Sequence, residues 1–312
     1  MSLRRIRIAR AWRVLLTGCA VIVGGLPMLA TRPADAQAPT ARDSARRSAA
    51  APAHVAAPPG IQDNLFLLEE AYNQDAGVVQ HISQFQRDLR AKAYTFQFTQ
   101  EWPVGGITHQ LSYGVPIVRP DAATGVGVGD IRLNYRYQLI GDADARFAVS
   151  PRATVVLPTG DYRRARGAGA TGYEVWLPAS VVLSDRWVVH GNAGLTRTPR
   201  ARNVDGDRAT TNTWTFGGSV VWLARPAFNL FIETIYQPSE DVAAPGQTAR
   251  SNNFTVSPGV RWAYNFSSGL QIVPGIAVPL GAGPSAGERS VLFYLSFEHP
   301  FTNSAREKAR AE

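Results

Sequence analysis

Apolar and polar residues alternate along most of the chain after Val78, with almost no helical spacing. In the clearest stretch the odd positions from Ile131 to Leu139 are apolar and the even positions from Asp130 to Gln138 are polar. Strict alternation puts the two sets on opposite faces of a strand, because successive Cβ atoms point to opposite sides. The pattern therefore predicts an all-β protein whose strands each have one apolar and one polar face.

Twelve segments show this alternation, and most have at least the length of about 9–11 residues that a tilted strand needs to cross a bilayer. Strands of soluble sheets are shorter, usually about five or six residues. The segments are 77–86, 92–102, 107–118, 128–140, 145–158, 171–184, 186–197, 211–224, 226–238, 252–266, 269–281 and 288–301. We predict a transmembrane antiparallel up-and-down β-barrel of about twelve strands over residues 77–301.

The connections between these segments alternate between short and long. The long ones are Arg119–Gly127, Thr159–Ala170, Thr198–Thr210, Ser239–Ser251 and Ala282–Gly287. Short periplasmic turns and longer outer loops are typical of bacterial outer-membrane barrels. The rhythm predicts an outer-membrane location with both termini periplasmic.

Five prolines lie inside the predicted strands: Pro116, Pro151, Pro178, Pro258 and Pro274. Each removes one hydrogen bond from the ladder, so we expect bulges or kinks there.

The N-terminal region predicts export. Residues 1–36 combine a run of arginines, an apolar stretch and the small-residue site Ala34–Ala36, which is typical of a signal peptide. A lipoprotein site at Cys19 is the alternative. Residues 37–76 form a leader, predicted to be disordered to about residue 60, and residues 61–75 have a short helix-like pattern that suggests a plug or gate. Residues 302–312 form a charged tail.

Charge and cysteine content narrow the function further. The chain has 32 basic and 24 acidic residues, but residues 1–36 hold six Arg and one Asp, which leaves 26 and 23. This near-balance gives no reason to expect a nucleic-acid partner. The single Cys, Cys19, lies in the predicted signal, so disulfides and thiol catalysis are excluded from the exported chain.

The polar face of the predicted strands, taken as the lumen, carries ten titratable residues. They are Glu101, Asp130, Arg132, Arg136, Arg152, Glu174, His190, Glu233, Arg261 and Glu298. They either line a pore as a selectivity filter or pair into salt bridges that fill it. Twelve strands lie between the filled barrels of about eight strands and the open barrels of about sixteen, so both alternatives stay open.

Six apolar residues also point inward, and they suit a hydrophobic or aromatic solute: Val156, Trp176, Val182, Phe231, Ile235 and Leu292. Outside the barrel, arginines in two outer loops make lipopolysaccharide a candidate partner alongside membrane lipid. They are Arg163, Arg164, Arg166, Arg197, Arg200, Arg202 and Arg208. Asp205 and Asp207 are too few for a calcium site, and no metal site or cofactor is predicted.

Several stretches resemble a family of outer-membrane transporters associated by name with the meta-cleavage pathway of phenol degradation. The matching stretches are Asn64–Gln74, Gly77–Ile82, Phe98–Pro103, Gly129–Tyr137, Pro151–Arg152 and Leu157–Asp161. The resemblance spans about Asn64 to Phe301. It implies an outer-membrane barrel and a transporter role, and it brings neither a substrate nor catalytic residues.

The sequence thus favours a monomeric outer-membrane channel for passive passage of small, hydrophobic or aromatic molecules. One alternative is a closed structural or surface-interaction barrel. The other is an outer-membrane hydrolase with a triad assembled only in space, although none of the five His residues lies in a local Ser and carboxylate motif. The favoured hypothesis is therefore a protein that is not an enzyme.

Overall fold

The computed structural model describes residues 61 and 63–302, so the predicted signal peptide, the leader up to residue 60 and nearly all of the charged tail lie outside the described residues. Twelve antiparallel strands follow one another along the chain, and four of them are interrupted. They are β1 (Val78–Asp88), β2 (Tyr94–Val104), β3 (His109–Arg119), β4 (Gly127–Val128 and Ile131–Tyr137), β5 (Phe147–Val149 and Arg152–Leu157), β6 (Gly172–Ser184), β7 (Trp187–Arg202), β8 (Arg208–Arg225), β9 (Phe228–Ala244), β10 (Gln247–Trp262 and Tyr264–Asn265), β11 (Gln271–Ala277 and Leu280–Gly281) and β12 (Ser290–Pro300).

The sheet closes on itself. Each strand pairs with its neighbour in sequence, and β1 pairs with β12 along its whole length, from Val78 opposite Pro300 to Asp88 opposite Ser290. Closure leaves no unpaired edge, which is the arrangement that satisfies every backbone polar group in lipid. The predicted twelve-stranded up-and-down barrel is confirmed. No helix within the described part of the chain is long and apolar enough to span a membrane.

The apolar faces of the strands point outward. On β4, Leu133, Tyr135 and Tyr137 are exposed, whereas Arg132 and Arg136, which alternate with them, are buried. A soluble protein buries its apolar face, so this inverted distribution is that of a barrel surrounded by hydrocarbon. The polar face consequently forms the interior.

The barrel has two different rims. We call the rim that carries Val78 and Pro300 the terminal rim, and the opposite one the far rim. At the far rim, β7 to β10 run longer than predicted. The prediction of long loops over Thr198–Thr210 and Ser239–Ser251 is therefore wrong. Most of those residues continue the ladders to Arg202–Arg208 and Ala244–Gln247, and glycines with positive φ, Gly206 and Gly246, close the turns.

The five internal prolines share one structural solution. Pro151 lies in the gap between the two parts of β5, and the others lie beside a gap in a neighbouring strand. Pro116, for example, pairs with Gln97 on one side, and on the other its carbonyl accepts a hydrogen bond from Gly129, which lies in the gap of β4. The four register shifts lie elsewhere, after Val182, Ala209, Leu223 and Val242. Interruption of the ladder, instead of a bulge, accommodates the missing N–H.

Candidate functional site

The lumen at the terminal rim is occupied by the chain itself. Residues 61 and 63–76, which we call the plug segment, lie inside the barrel without regular secondary structure. The helix suggested for residues 61–75 is therefore wrong. Ile61, Leu65, Phe66, Leu68 and Ala71 are buried inside the barrel, none more than 4 % exposed.

Side chains of the barrel wall take the backbone hydrogen bonds that a helix would make internally. Glu233 accepts from the amides of Leu67 and Leu68 at 2.9 and 3.0 Å. The other acceptors are Asn192 for Glu69, Ser180 for Ala71, Gln138 for Asn73 and Gln110 for Gln74, at 3.1, 2.8, 2.9 and 2.7 Å. Because buried amides need acceptors, these side chains from several strands determine the extended path of the segment.

Arg261 anchors the first half of the plug segment. Its guanidinium donates to the carbonyl oxygens of Asp63, Asn64 and Ile61, and to the Glu70 carboxylate at 2.9 Å. Nearby, the Asp63 carboxylate accepts from Tyr294 at 2.7 Å and from Ser296 at 2.6 Å. Since Arg261 is only 2 % exposed, its charge is compensated by the plug segment and not by water.

Glu69 anchors the second half. One of its carboxylate oxygens lies 2.6 Å from Arg152 Nη1 and the other 2.8 Å from Arg136 Nη2. Arg136 also donates to the Tyr72 carbonyl at 3.1 Å. Arg152 in turn bonds Glu174 at 2.7 Å, and Glu174 accepts from Trp176 Nε1 at 3.1 Å. The wall arginines are thus linked to the plug segment by a continuous charged network.

The two adjacent plug carboxylates differ in acidity. Burial raises the pKa of Glu69, but the Arg152 and Arg136 guanidiniums more than offset this, so its pKa lies below the ordinary value. Burial raises the pKa of Glu70, and Arg261 only partly counters that effect. A lowered pKa means that the Glu69 ion pairs stabilise docking at neutral pH and are lost as the pH falls through that pKa.

Apolar contacts complete the seat of the plug segment. The Phe66 ring stacks on Tyr294 at 4.5 Å and meets Phe231 edge-on at 4.8 Å. Glycines make room, because a Cβ on Gly275 would collide with the Phe66 ring and one on Gly217 with the Leu68 side chain. Of the six inward apolar residues, five belong to the buried cluster that contains these plug side chains: Trp176, Val182, Phe231, Ile235 and Leu292. They support the docked segment.

The remaining predicted lumen residues also face the interior and have partners. Asp130 accepts from the amides of Gly160 and Ala168 at 2.9 and 2.6 Å, so it holds the loop after β5 at the far rim. Arg132 lies 3.4 Å from Glu174. Glu101 accepts from Gln110 at 2.9 Å, and Glu298 accepts from the plug residue Gln74 at 3.1 Å.

Ser180, His190 and Glu70 have the composition of a catalytic triad. Ser180 Oγ lies 2.7 Å from His190 Nδ1, and His190 Nε2 lies 4.0 Å from Glu70 Oε1. The Ser180 hydroxyl, however, is fully buried and accepts from the Ala71 amide. The plug backbone thus covers this hydroxyl, and in the docked state Ser180 serves as an acceptor for the plug segment.

Two further predicted features belong to loops. Asn203 Oδ1 accepts from the amides of Asp205 and Asp207 at 3.1 and 2.9 Å, which forms a tight turn. Within residues 61 and 63–302, no cluster of three or more His, Cys, Asp or Glu residues is placed to hold a metal ion.

The far half of the lumen is lined by neutral polar side chains. They include Thr95, Gln97, Thr196, Thr198, Thr211, Thr213, Thr215, Gln237, Ser239 and Thr255, all buried. Several of their polar atoms, such as Thr196 Oγ1 and Gln237 Oε1, have no protein partner among the described residues. This half therefore has a wall of mainly neutral hydroxyl and amide groups.

The functional residues missed by sequence reasoning are the three plug carboxylates, Asp63, Glu69 and Glu70. The available signal was the charge of the segment itself. Residues 61–76 contain Asp63, Glu69, Glu70 and Asp75 and no basic residue, opposite a wall with four inward arginines. The opposite charges of the segment and the wall favour ion pairs between them.

Solved structures with the same architecture are outer-membrane barrels. An outer-membrane channel from Pseudomonas putida F1 has 12% identity and a TM-score of 0.53, over 73% of this chain and 97% of that one. The NanC porin has 11% identity and a TM-score of 0.47, over 70% and 98%. The CymD monoaromatic hydrocarbon channel has 11% identity and a TM-score of 0.41, over 74% and 90%. At these identities the likeness concerns the fold alone.

A family model provides the stronger assignment. No curated protein matches the chain. The family described as "Putative MetA-pathway of phenol degradation" matches residues 60–278, a stretch that takes in the plug segment, β1 to β10 and the first part of β11. The chain belongs to this family.

Proposed function

We propose that the protein is an outer-membrane channel for passive passage of small hydrophobic or aromatic molecules, and that the plug segment is its gate. The observation that carries this proposal is the docking of the segment. Its backbone is held by wall side chains such as Glu233, Asn192 and Gln138. A segment held in this way is released by exchanging hydrogen bonds, without breaking the barrel.

The far half of the lumen supports the same proposal. Neutral hydroxyl and amide groups line it, while most of the charges lie near the plug segment. A neutral polar wall suits a small molecule with one polar group, because it offers hydrogen bonds without demanding a counter-charge. We place both termini in the periplasm, with the far rim outside the cell and a single barrel as the functional unit.

A disulfide lock tests the gate. The Cβ position of Gly217 touches the Leu68 side chain, so Leu68→Cys with Gly217→Cys joins plug and wall. The predicted exported chain has no other cysteine. Benzyl alcohol also crosses lipid unaided, so swelling is measured as the excess over protein-free liposomes. We expect the reduced double variant to show such an excess, and oxidation to reduce it at least tenfold. Equal swelling in both states contradicts the gate, and no swelling with wild-type protein contradicts the channel.

The single variants Leu68→Cys and Gly217→Cys are the matched controls. Neither forms the bond, so oxidation leaves their swelling rates unchanged if the lock acts through the disulfide. A loss of swelling in either single variant identifies a steric effect at the seat of the plug segment instead.

The outer surface carries a second proposed contact, with lipopolysaccharide phosphates. Arg197, Arg200 and Arg208 line one groove on the far part of β7 and β8, next to Asn212 and Glu240. Arg166 and Arg202 are already engaged, since Arg166 donates to the Gly125 carbonyl and Arg202 lies over the Tyr162 ring. Arg197 donates to Asn212 Oδ1 at 2.9 Å, so Arg200 and Arg208 are the proposed phosphate ligands.

A further inference from the structure

Arg136 and Arg152 form an unusual pair. They lie directly opposite each other on β4 and β5 and both side chains point into the lumen, where they are 4 % and 16 % exposed. Like charges at directly opposed positions of neighbouring strands destabilise a sheet. The pair therefore needs an anion between its two guanidinium groups.

The plug segment, which lies in the lumen and is not part of the wall, supplies that anion. Each oxygen of the Glu69 carboxylate is bonded by one of the two arginines, so the carboxylate bridges them. The Nε atoms of Arg136 and Arg152 are buried without a hydrogen-bond partner among the described residues, which leaves donors to spare around one carboxylate. Arginine donors arranged in this way match the geometry of a carboxylate and not that of a neutral group.

Displacement of the plug segment removes this anion. Glu174 remains on Arg152. Glu101 of the wall attracts Arg136 without forming a salt bridge with it, and the other bond of Arg136 is to the plug carbonyl of Tyr72. An aromatic surface lies beside the pair, since the Arg152 guanidinium sits 5.6 Å from the centre of the Trp176 ring. The position left by Glu69 is therefore flanked by two guanidinium groups and by the aromatic ring of Trp176.

We infer that Arg136 and Arg152 form a binding site for the carboxylate of a small aromatic acid, and that Glu69 occupies this site as an internal mimic of the solute. The inference rests on the proposed gate and names the class of solute that opens it. An aromatic carboxylate competes with Glu69 for the two arginines, so its arrival releases the second half of the plug segment. A neutral aromatic compound of the same shape does not compete with Glu69, so it passes only when the plug segment leaves its site spontaneously.

Titration calorimetry with the purified full-length protein in detergent tests the site, with benzoate as the probe and benzamide as its neutral counterpart. We expect wild-type protein to bind benzoate at least about tenfold more tightly than benzamide. Glu69→Gln weakens the internal competitor, so benzoate binds about tenfold more tightly than in wild type. Arg152→Gln removes one of the two guanidinium groups and weakens benzoate binding about tenfold.

Arg225→Gln is the matched control, because it removes one arginine from the exposed end of β8 at the terminal rim. Its benzoate affinity should equal that of wild type. Heat-modifiable migration in electrophoresis shows whether each variant is folded. If Arg152→Gln does not fold, Glu69→Gln decides the matter alone, since Glu69 is not part of the wall.

The outcomes separate this site from the channel itself. Equal affinities for benzoate and benzamide, no benzoate binding, or benzoate binding unaffected by Glu69→Gln each overturn the site, while swelling with benzyl alcohol still supports the channel. Benzoate binding in the expected order without passage of any solute supports the site and overturns the channel.

Discussion

The two halves of the lumen solve the problem of a polar interior in opposite ways. The half at the terminal rim concentrates charge, and the arginines Arg136, Arg152 and Arg261 are each bonded to a carboxylate of the plug segment. The far half is lined mainly by the neutral side chains of threonines, glutamines and serines. Charge is thus placed where a segment must be held, and neutral polar groups where the lumen has no such segment.

This difference bears on the role of the ten predicted lumen residues. Buried arginines and carboxylates lose their hydration, so they persist only in pairs. In the terminal half those pairs connect the wall to the plug segment. The charged residues near the terminal rim therefore bind the plug segment, and in the proposed gate they become pore lining only when the segment leaves.

The largest expected effect is at Arg261. Arg261→Leu removes four bonds to the plug segment and leaves Glu70 buried without its cation, which should cost docking about 3–5 kcal/mol. Cleavage by a glutamate-specific protease after Glu69 or Glu70, followed by mass spectrometry, should accelerate at least about a hundredfold. Arg225→Leu at the exposed end of β8 is the control. Continued protection in Arg261→Leu would show that the anchor lies elsewhere.

A smaller effect is expected from a bulkier side chain beside the plug segment that leaves the charge of the terminal half unchanged. Gly275→Ala places a methyl group against the Phe66 ring and the Val260 carbonyl, whereas Gly191→Ala meets nothing within 4 Å. Overpacking of this kind costs about 1–3 kcal/mol. The same protease assay should show faster cleavage in Gly275→Ala and no change in Gly191→Ala. Equal rates in the two variants would mean that Phe66 does not seat the plug segment.

Sequence alone was sufficient for the barrel because its signal is local. Period-two alternation identifies each strand and its inward side, so residues such as Arg132, Glu174 and Glu233 were placed on the lumen face correctly. The far ends of β7 to β10 were missed for the same reason. In Thr198–Thr210 both faces of the ladder are polar, and without an apolar face the alternation disappears.

The plug segment was beyond local reasoning. Leu65, Leu68 and Tyr72 repeat at helical spacing, which favours a helix when the segment is considered by itself. Its path is instead determined by acceptors on strands far away in sequence, such as Glu233 for the Leu67 amide. The identity of these partners follows from the closed barrel, so it cannot be obtained from the spacing of residues in the segment.

The smallest expected effect compares one hydroxyl from each half. Ser180 accepts from the Ala71 amide, so Ser180→Ala leaves this buried N–H of the plug segment without an acceptor. The change should weaken docking by about 1 kcal/mol. Thr196 Oγ1 in the far half has no partner among the described residues, and Thr196→Val keeps its shape, so docking should not change. Protease protection should therefore fall about fivefold in the first variant alone. Loss of protection in Thr196→Val as well would extend the influence of the plug segment into the far half, because only a segment that reaches this hydroxyl responds to its removal.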